Sequence, residues 1–180
     1  FRLNPWEYSV ELGHRYGVAV YPCLTDSRVT GETRYRRKSA ASYRGRAMNA
    51  WAAGADGMHT FNLFSPTSEI FRQVGDPASM ATLDKLYYAT AVDGLADRWL
   101  VGGERHRTLR MLAPSQAASI SPGAPVQMDI MIGEDFALAR EQGGEPTVTL
   151  CLELPGVSDP DLVHATFNGH PLEGGTMADG

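Results

Sequence analysis

Several features that would assign a protein to a function class at first sight are scarce or missing in this sequence. Cysteine is rare, with only Cys23 and Cys151 among the 180 residues. We expect both to be buried free thiols rather than a disulfide, because unpaired cysteine behaves as a small hydrophobic residue. No apolar run reaches the roughly 18 residues that a membrane-spanning helix requires, and no signal-peptide pattern is present. The sequence therefore predicts no membrane span.

No sequence motif for a metal, a phosphate group or a nucleophilic serine is present. The chain has no His-x-x-x-His pair, no Cys-x-x-Cys and no acidic calcium loop. It has no glycine-rich loop before a helix and no Gly-x-Ser-x-Gly. We therefore expect no cofactor. The net charge of −5 argues against a nucleic-acid partner, because phosphate binding favours a basic surface.

The composition, with 43% apolar and 21% charged residues, is ordinary for a globular protein. The chain begins at Phe1 rather than at a methionine, and it ends shortly after an apparent hairpin. We interpret it as an internal piece of a longer protein.

Residues 40–64 predict a helix followed by a strand. Gly54 is expected to end the helix, because glycine is common just past a last helical turn. An apolar strand from Gly57 to Phe64 follows. A helix that leads into a buried strand is half of a repeating α/β unit. The expected apolar side of the helix comprises Tyr43, Ala47, Ala50 and Trp51.

The segments on either side continue this alternation. In the first helix, Tyr8, Leu12 and Tyr16 recur at helical spacing and predict its buried face. The order helix, strand, helix, strand, helix predicts parallel strands with right-handed crossovers. The flanking elements are a helix from Asn4 to Tyr16, a strand over 18–25, a helical turn over 69–74 and a helix from Asp76 to about Thr90.

The pattern changes after residue 103. Apolar residues alternate with polar ones over 126–132 and 147–154, which predicts half-buried antiparallel strands. Asn168-Gly169 predicts a tight hairpin. We place a domain boundary near residues 98–105, with an α/β domain over 1–100 and a partial β-sandwich over 105–180.

Five segments of the sequence carry a resemblance to a known family: Tyr43-Arg44-Gly45-Arg46-Ala47-Met48-Asn49-Ala50-Trp51, Ala53-Gly54-Ala55-Asp56-Gly57, Phe61-Asn62-Leu63-Phe64, Phe71-Arg72-Gln73-Val74-Gly75-Asp76-Pro77 and Leu83-Asp84-Lys85. They resemble the closing part of bacterial glycoside-hydrolase-like proteins, which have a xylanase-type (β/α)8 barrel followed by a β-sandwich. The resemblance implies that the chain contains about two βα units from the end of the barrel, joined to a partial antiparallel sandwich. It also implies an extracellular or periplasmic location.

The resemblance implies a catalytic role for Asp26. In such barrels the nucleophilic carboxylate ends the seventh strand, which corresponds to 18–25, and the acid/base residue ends the fourth strand, outside this chain. The family usually has Glu where this chain has Asp26. The alternative is that Asp26 caps the loop after its strand through an Asx turn.

Four other residues are candidate contacts to a carbohydrate. Asn62 ends the second strand, where an amide could hydrogen-bond sugar hydroxyls; the alternative is a structural amide that binds loop backbone. Tyr35 and Phe64 could stack on sugar rings or simply pack. Arg34 belongs to a cationic loop over 28–38 that could meet an anionic group or be solvated.

The nearby polar residues have ordinary structural explanations. Glu32 is a solvated loop residue in this interpretation, and His59 is a hydrogen-bonded core residue. Arg46 and Asn49 lie off the apolar side of their helix, so we expect them to bind a strand or the following domain.

The first hypothesis is therefore a piece of a carbohydrate-active protein, a glycoside hydrolase or close relative that uses carboxylate acid/base chemistry. The piece alone is expected to be inactive. The alternative is a non-catalytic glycan-binding or cell-surface protein with a degenerate barrel. A phosphate-binding metabolic enzyme is disfavoured by the expected sandwich and the missing glycine-rich loop. The oligomeric state stays open.

Overall fold

The computed structural model of the protein describes residues 6–25, 37–89, 112, 117–159 and 163–176. Two compact units are present, Phe1–Pro146 and Thr147–Gly180. The boundary expected near residues 98–105 lies outside the described residues.

A strand–helix–strand segment is the centre of the first unit. Strand β1 (Cys23–Leu24) leads to helix α2 (Ala40–Ala52), and β2 (His59–Thr60) follows. The strands pair in parallel, with Cys23 opposite His59 and Leu24 opposite Thr60. The pairing has the expected direction, but each strand is only two residues long.

Helix α2 follows its sequence pattern closely. Ser39 caps the first turn by accepting a hydrogen bond from the Ser42 amide at 3.2 Å. Tyr43, Ala47 and Ala50 are buried as predicted. Gly54 follows the last turn at φ 86°, a left-handed conformation that glycine adopts without strain.

The main core surrounds one side of α2. Its largest members are Leu24 from β1, Tyr43 and Met48 from α2, and Met80. Two short elements close this core from the following segment: helix α3 (Ile70–Gln73) and a 3₁₀ turn (Pro77–Met80). Each fully buried aliphatic side chain contributes roughly 1.5–3 kcal/mol.

The helix predicted from Asp76 to Thr90 is wrong in length. Asp76 does cap the turn, accepting a hydrogen bond from the Ala78 amide at 2.9 Å, and Pro77 begins it. The turn ends at Met80, and residues 84–88 have no helical structure.

Helix α1 (Trp6–Arg15) packs with a different side from the one predicted. Val10 is the buried residue and belongs to a small cluster with Ala50 and Ala55. Tyr8 and Tyr16 are 66% and 74% exposed. Helical spacing identified an apolar stripe, but the side facing α2 is the one that holds Val10.

The end of the first unit holds an unpredicted short helix, α4 (Phe136–Glu141). Asp135 caps it by accepting a hydrogen bond from the Leu138 amide at 2.9 Å. The signal was a capping Asp before Phe-Ala-Leu-Ala-Arg-Glu, which is rich in helix formers.

In the second unit, strand β3 (Thr166–Phe167) pairs antiparallel with β4 (His170–Pro171). Asn168 and Gly169 have φ angles of 51° and 83°. Two positive φ values in a two-residue loop are typical of a type I′ turn, so the predicted hairpin is confirmed.

The expected barrel section and β-sandwich are both wrong. The described residues form two sheets of two strands each, which give neither architecture. The alternating segments 126–132 and 147–154 contain no strand. Alternation indicates a strand only where a neighbouring backbone supplies hydrogen bonds, and neither segment has such a partner among the described residues.

Cys23 and Cys151 are free thiols, but they are exposed rather than buried as predicted.

Candidate functional site

The carboxyl ends of β1 and β2 lie at one edge of their sheet. The Phe61 amide donates to the Leu24 carbonyl at 3.0 Å, which continues the parallel pairing past both strands. The residues that follow β1 and β2 therefore emerge side by side. In parallel α/β structures, ligands commonly bind at this end of the strands.

Asn62 emerges at this edge in a left-handed conformation, with φ 58°. Asparagine tolerates this conformation better than most residues, which explains its place in the turn after β2. Its side chain is exposed and makes no hydrogen bond within the described part of the chain. The amide is therefore available to a ligand, and the alternative, a structural amide bound to loop backbone, is not seen among the described residues.

Phe64 is the most exposed large apolar residue here, at 85%, and Phe61 is also exposed. An exposed phenylalanine does not contribute the free energy of stabilisation that its burial would provide, and its ring face is available to a ligand. Asn62 and Phe64 thus present an amide and an aromatic face within three consecutive residues.

Arg46 fixes the exit of β1 to helix α2. Its Nη1 donates to the Thr25 carbonyl at 2.7 Å, and its Nη2 donates to the Arg37 carbonyl at 3.3 Å. The guanidinium also lies 4.5 Å from the centroid of the Tyr43 ring. The predicted helix-to-strand role of Arg46 is confirmed, and Thr25, which precedes Asp26, is held in place.

Arg37 is buried, at 9% exposure, which does not fit the solvated alternative for the end of the cationic loop. Its guanidinium lies 4.5 Å above the Tyr88 ring, a cation–π arrangement. Burial lowers the pKa of Arg37 from its ordinary value. The interaction with Tyr88 raises this pKa, and the nearby Arg46 charge lowers it further.

His59 is exposed in β2, so its predicted role as a core histidine is wrong. Three of the five predicted site residues lie outside the described residues: Asp26, Arg34 and Tyr35. Glu32 lies outside them as well. Of the predicted site, the described residues are Asn62 and Phe64, which are two positions apart in the chain and both exposed.

Sequence reasoning missed an open cleft of about 460 Å³ in the first unit. Helix α2 forms one wall with Trp51, and the segment entering α4 forms another with Phe136. The remaining lining residues are Met48, Ala52, Pro77 and residues 132–135. The available signal was Asn49, expected to bind either a strand or the following domain: it donates to the Met131 carbonyl at 3.1 Å.

A buried ion pair supports the cleft wall at Glu134. Its Oε1 lies 3.0 Å from Lys85 Nζ, and the two side chains are 9% and 4% exposed. The Tyr87 hydroxyl donates to the other carboxylate oxygen at 3.1 Å. Burial, with a further contribution from the Glu134 charge, raises the pKa of Tyr87. Glu134 is therefore held in one position from two sides.

Within the described ranges, no group of three or more His, Cys, Asp or Glu side chains is arranged to hold a metal ion. None of the helices described there has the length and apolar character that crossing a bilayer requires. No family model, curated protein or solved structure matches this chain.

Proposed function

We propose that this chain is part of a carbohydrate-active protein and that a sugar binds at the carboxyl edge of β1 and β2. The observation that carries the proposal is the exposed Phe64 ring close in sequence to the exposed Asn62 amide. The family resemblance of segments 43–51 and 61–64 supports the choice of ligand.

The two side chains complement a sugar in different ways. A carboxamide both donates and accepts hydrogen bonds, so Asn62 suits neighbouring hydroxyl groups that do the same. The flat apolar face of Phe64 suits the C–H face of a sugar ring, since an aromatic side chain provides a large rigid contact area.

Two variants of the proposal differ in chemistry. In the first, the protein cleaves glycosidic bonds and Asp26, directly after the fixed Thr25, is one of two carboxylates. Glycosidases hold such a pair about 5–5.5 Å apart when retaining and about 6.5–9.5 Å apart when inverting. In the second, the protein binds glycans without cleaving them. The departure from Glu at position 26 favours the second variant.

Binding is tested by affinity electrophoresis in gels that contain soluble polysaccharides. Phe64→Ala should raise the dissociation constant measured from the retardation about fivefold to tenfold. This is the loss expected for one aromatic contact of about 1 kcal/mol. Asn62→Gly removes the amide but keeps the left-handed backbone accessible, and it should weaken binding as well.

Phe71→Ala is the matched control, because Phe71 is an exposed phenylalanine on α3. It should bind like the wild type. Equal retardation of the Phe64→Ala and wild-type proteins would refute the proposed site.

Cleavage is tested with aryl glycosides and full-length protein, comparing the wild type with Asp26→Asn. The hydrolase variant predicts turnover that falls by orders of magnitude when the carboxylate is removed. Turnover unchanged by the substitution would remove Asp26 from the mechanism. Polysaccharide binding without any turnover would favour the non-catalytic variant.

A further inference from the structure

Hydrogen bonds join the two walls of the cleft, helix α2 and the segment entering α4. Asn49 binds this segment twice: Nδ2 donates to the Met131 carbonyl at 3.1 Å, and Oδ1 accepts from the Gly133 amide at 2.6 Å. A Cβ at Gly133 would lie 2.5 Å from the Met48 carbonyl oxygen. The segment therefore packs directly on the helix backbone, and these contacts fix the two walls of the cleft relative to each other.

The Trp51 ring is fixed as well. Its indole Nε1 donates to the Val74 carbonyl at 2.9 Å. The hydrogen-bond donor is thereby used, so Trp51 offers a ligand only its ring surface. Phe136 provides a second ring in the lining.

The lining side chains provide acceptors and no free donor. Glu134 and Asp135 are carboxylates, Trp51 has its donor occupied, and the remaining lining side chains are apolar. Lys85 compensates the charge of Glu134. Asp135 is exposed and makes no ion pair within the described chain; Oδ1 accepts the capping bond from Leu138. One negative charge thus remains at the cleft.

We propose that this cleft binds a small organic cation, an ammonium group attached to an apolar body. Aromatic ring faces attract cations through their quadrupole, and the Asp135 carboxylate adds a Coulomb attraction. The volume of about 460 Å³ lies in the usual range for small-molecule sites, about 300–1,000 Å³.

A sugar fits this cleft less well than a cation does. Each sugar hydroxyl both donates and accepts, and its acceptor would find no free side-chain donor in this lining. An ammonium or trimethylammonium group has no acceptor to satisfy. The proposal therefore stands independently of sugar binding at Asn62 and Phe64, which belong to the segment after β2.

The test is calorimetric titration with choline and with its neutral carbon analogue, which has the same shape without the charge. Choline should bind at least about tenfold more tightly, as expected for a desolvated cation–π contact. Its affinity should fall as salt rises, because salt screens the attraction to Asp135. Equal affinity for the two compounds, or no binding of choline, would overturn the proposal.

Substitutions in the lining test whether choline binds in this cleft. Asp135→Asn keeps an oxygen to cap α4 but removes the charge, and it should weaken choline binding about twofold to fivefold. Trp51→Leu should weaken it about tenfold, and Trp51→Phe should restore part of this loss. Glu11→Gln removes a charge from α1, which does not line the cleft, and should leave binding unchanged.

Thermal unfolding of each variant separates a binding defect from a folding defect. If Trp51→Leu does not fold, the choline-induced amide shifts of Gly133 and Phe136 in the wild type provide the alternative measurement. Shifts confined to other residues would place the ligand elsewhere and refute the assignment.

Discussion

Asp56 connects three separate parts of the chain through one carboxylate oxygen. Its Oδ2 accepts a hydrogen bond from the Val20 amide at 2.7 Å and lies 2.8 Å from His14 Nε2. Asp56 itself belongs to the turn between α2 and β2. The bond from Val20, followed by the bond from His14, lowers the pKa of Asp56 below its ordinary value of 3.8.

The lowered pKa predicts how stability depends on pH. A carboxylate whose pKa is lower in the folded state stabilises the fold above its unfolded pKa, and this contribution is lost as pH falls through the folded pKa. Asp56→Asn should therefore lower the urea midpoint near pH 6, and the difference from wild type should shrink as pH falls below 3.8.

Urea unfolding at a series of pH values measures this difference. Glu11→Gln is the control, because Glu11 forms an exposed pair with Arg15 on α1, and exposed pairs contribute little. A difference between Asp56→Asn and wild type that stays constant down to about pH 2 would contradict the role assigned to the carboxylate.

Single residues were predictable where the neighbouring sequence alone determines their role. The Asn168-Gly169 turn and the cap at Asp76 depend on residues within a few positions, and both are found. The burial of Arg37 depends on a distant contact. The ring that covers Arg37 belongs to Tyr88, far along the chain, and no local pattern indicates that pairing.

At the scale of elements, periodicity predicted helices better than it predicted their packing. In α2 the predicted side is buried, because the core lies against it. In α1 the same spacing rule selected Tyr8 and Tyr16, yet Val10 is the buried residue. A helical stripe shows that one side is apolar, and the neighbouring elements decide which side packs.

The alternating segments show the same limit for strands. Residues 126–132 have strand periodicity, but their described contacts to α2 run through Asn49 rather than through a second strand. The chain at 131–133 is held by side-chain bonds. Alternation alone does not provide a backbone partner, so it cannot predict a sheet.

The attachment of this segment to α2 makes a further prediction. Asn49→Ala leaves the Gly133 amide and the Met131 carbonyl without their partner, and this should destabilise the protein by roughly 1–3 kcal/mol. Urea unfolding measures the loss, and hydrogen exchange at the Gly133 amide should become faster.

Gln142→Ala is the matched control, because Gln142 is an exposed amide after α4 without a side-chain hydrogen bond in the described residues. It should change stability by less than about 0.5 kcal/mol. An Asn49→Ala protein as stable as this control would show that the segment is held by other contacts.

For the whole molecule, the resemblance predicted more structure than the described residues form. Parallel pairing of β1 and β2 around a helix was predictable from the order of elements. A barrel or sandwich requires several further strands in register, and the described residues supply two sheets of two strands. The expectation failed because local similarity does not provide those partners.

The apolar surface of the molecule predicts concentration-dependent self-association. Tyr8, Tyr16 and Phe64 are among the large apolar residues exposed to solvent, and apolar surface that two copies bury between them favours association. Replacing both Tyr8 and Tyr16 by Thr should raise the dissociation constant of self-association on the order of tenfold. The substitutions remove apolar surface whose burial would drive the association.

Sedimentation velocity over a range of protein concentrations measures the association. The control replaces Glu7 and Arg15 by Thr, which alters the same helix without changing the net charge. Control and wild type should associate alike. Weakening by the control as strong as that by the tyrosine pair would assign the association to charge.

The two free thiols allow the distance between the two units to be measured. Cys23 lies in the first unit and Cys151 in the second, and both are open to reagents. Maleimide dyes or nitroxides can therefore label one position in each unit without introducing a new cysteine. Replacing either thiol by Ser gives the singly labelled reference, so energy transfer or electron spin resonance can follow the separation of the units as a ligand is added.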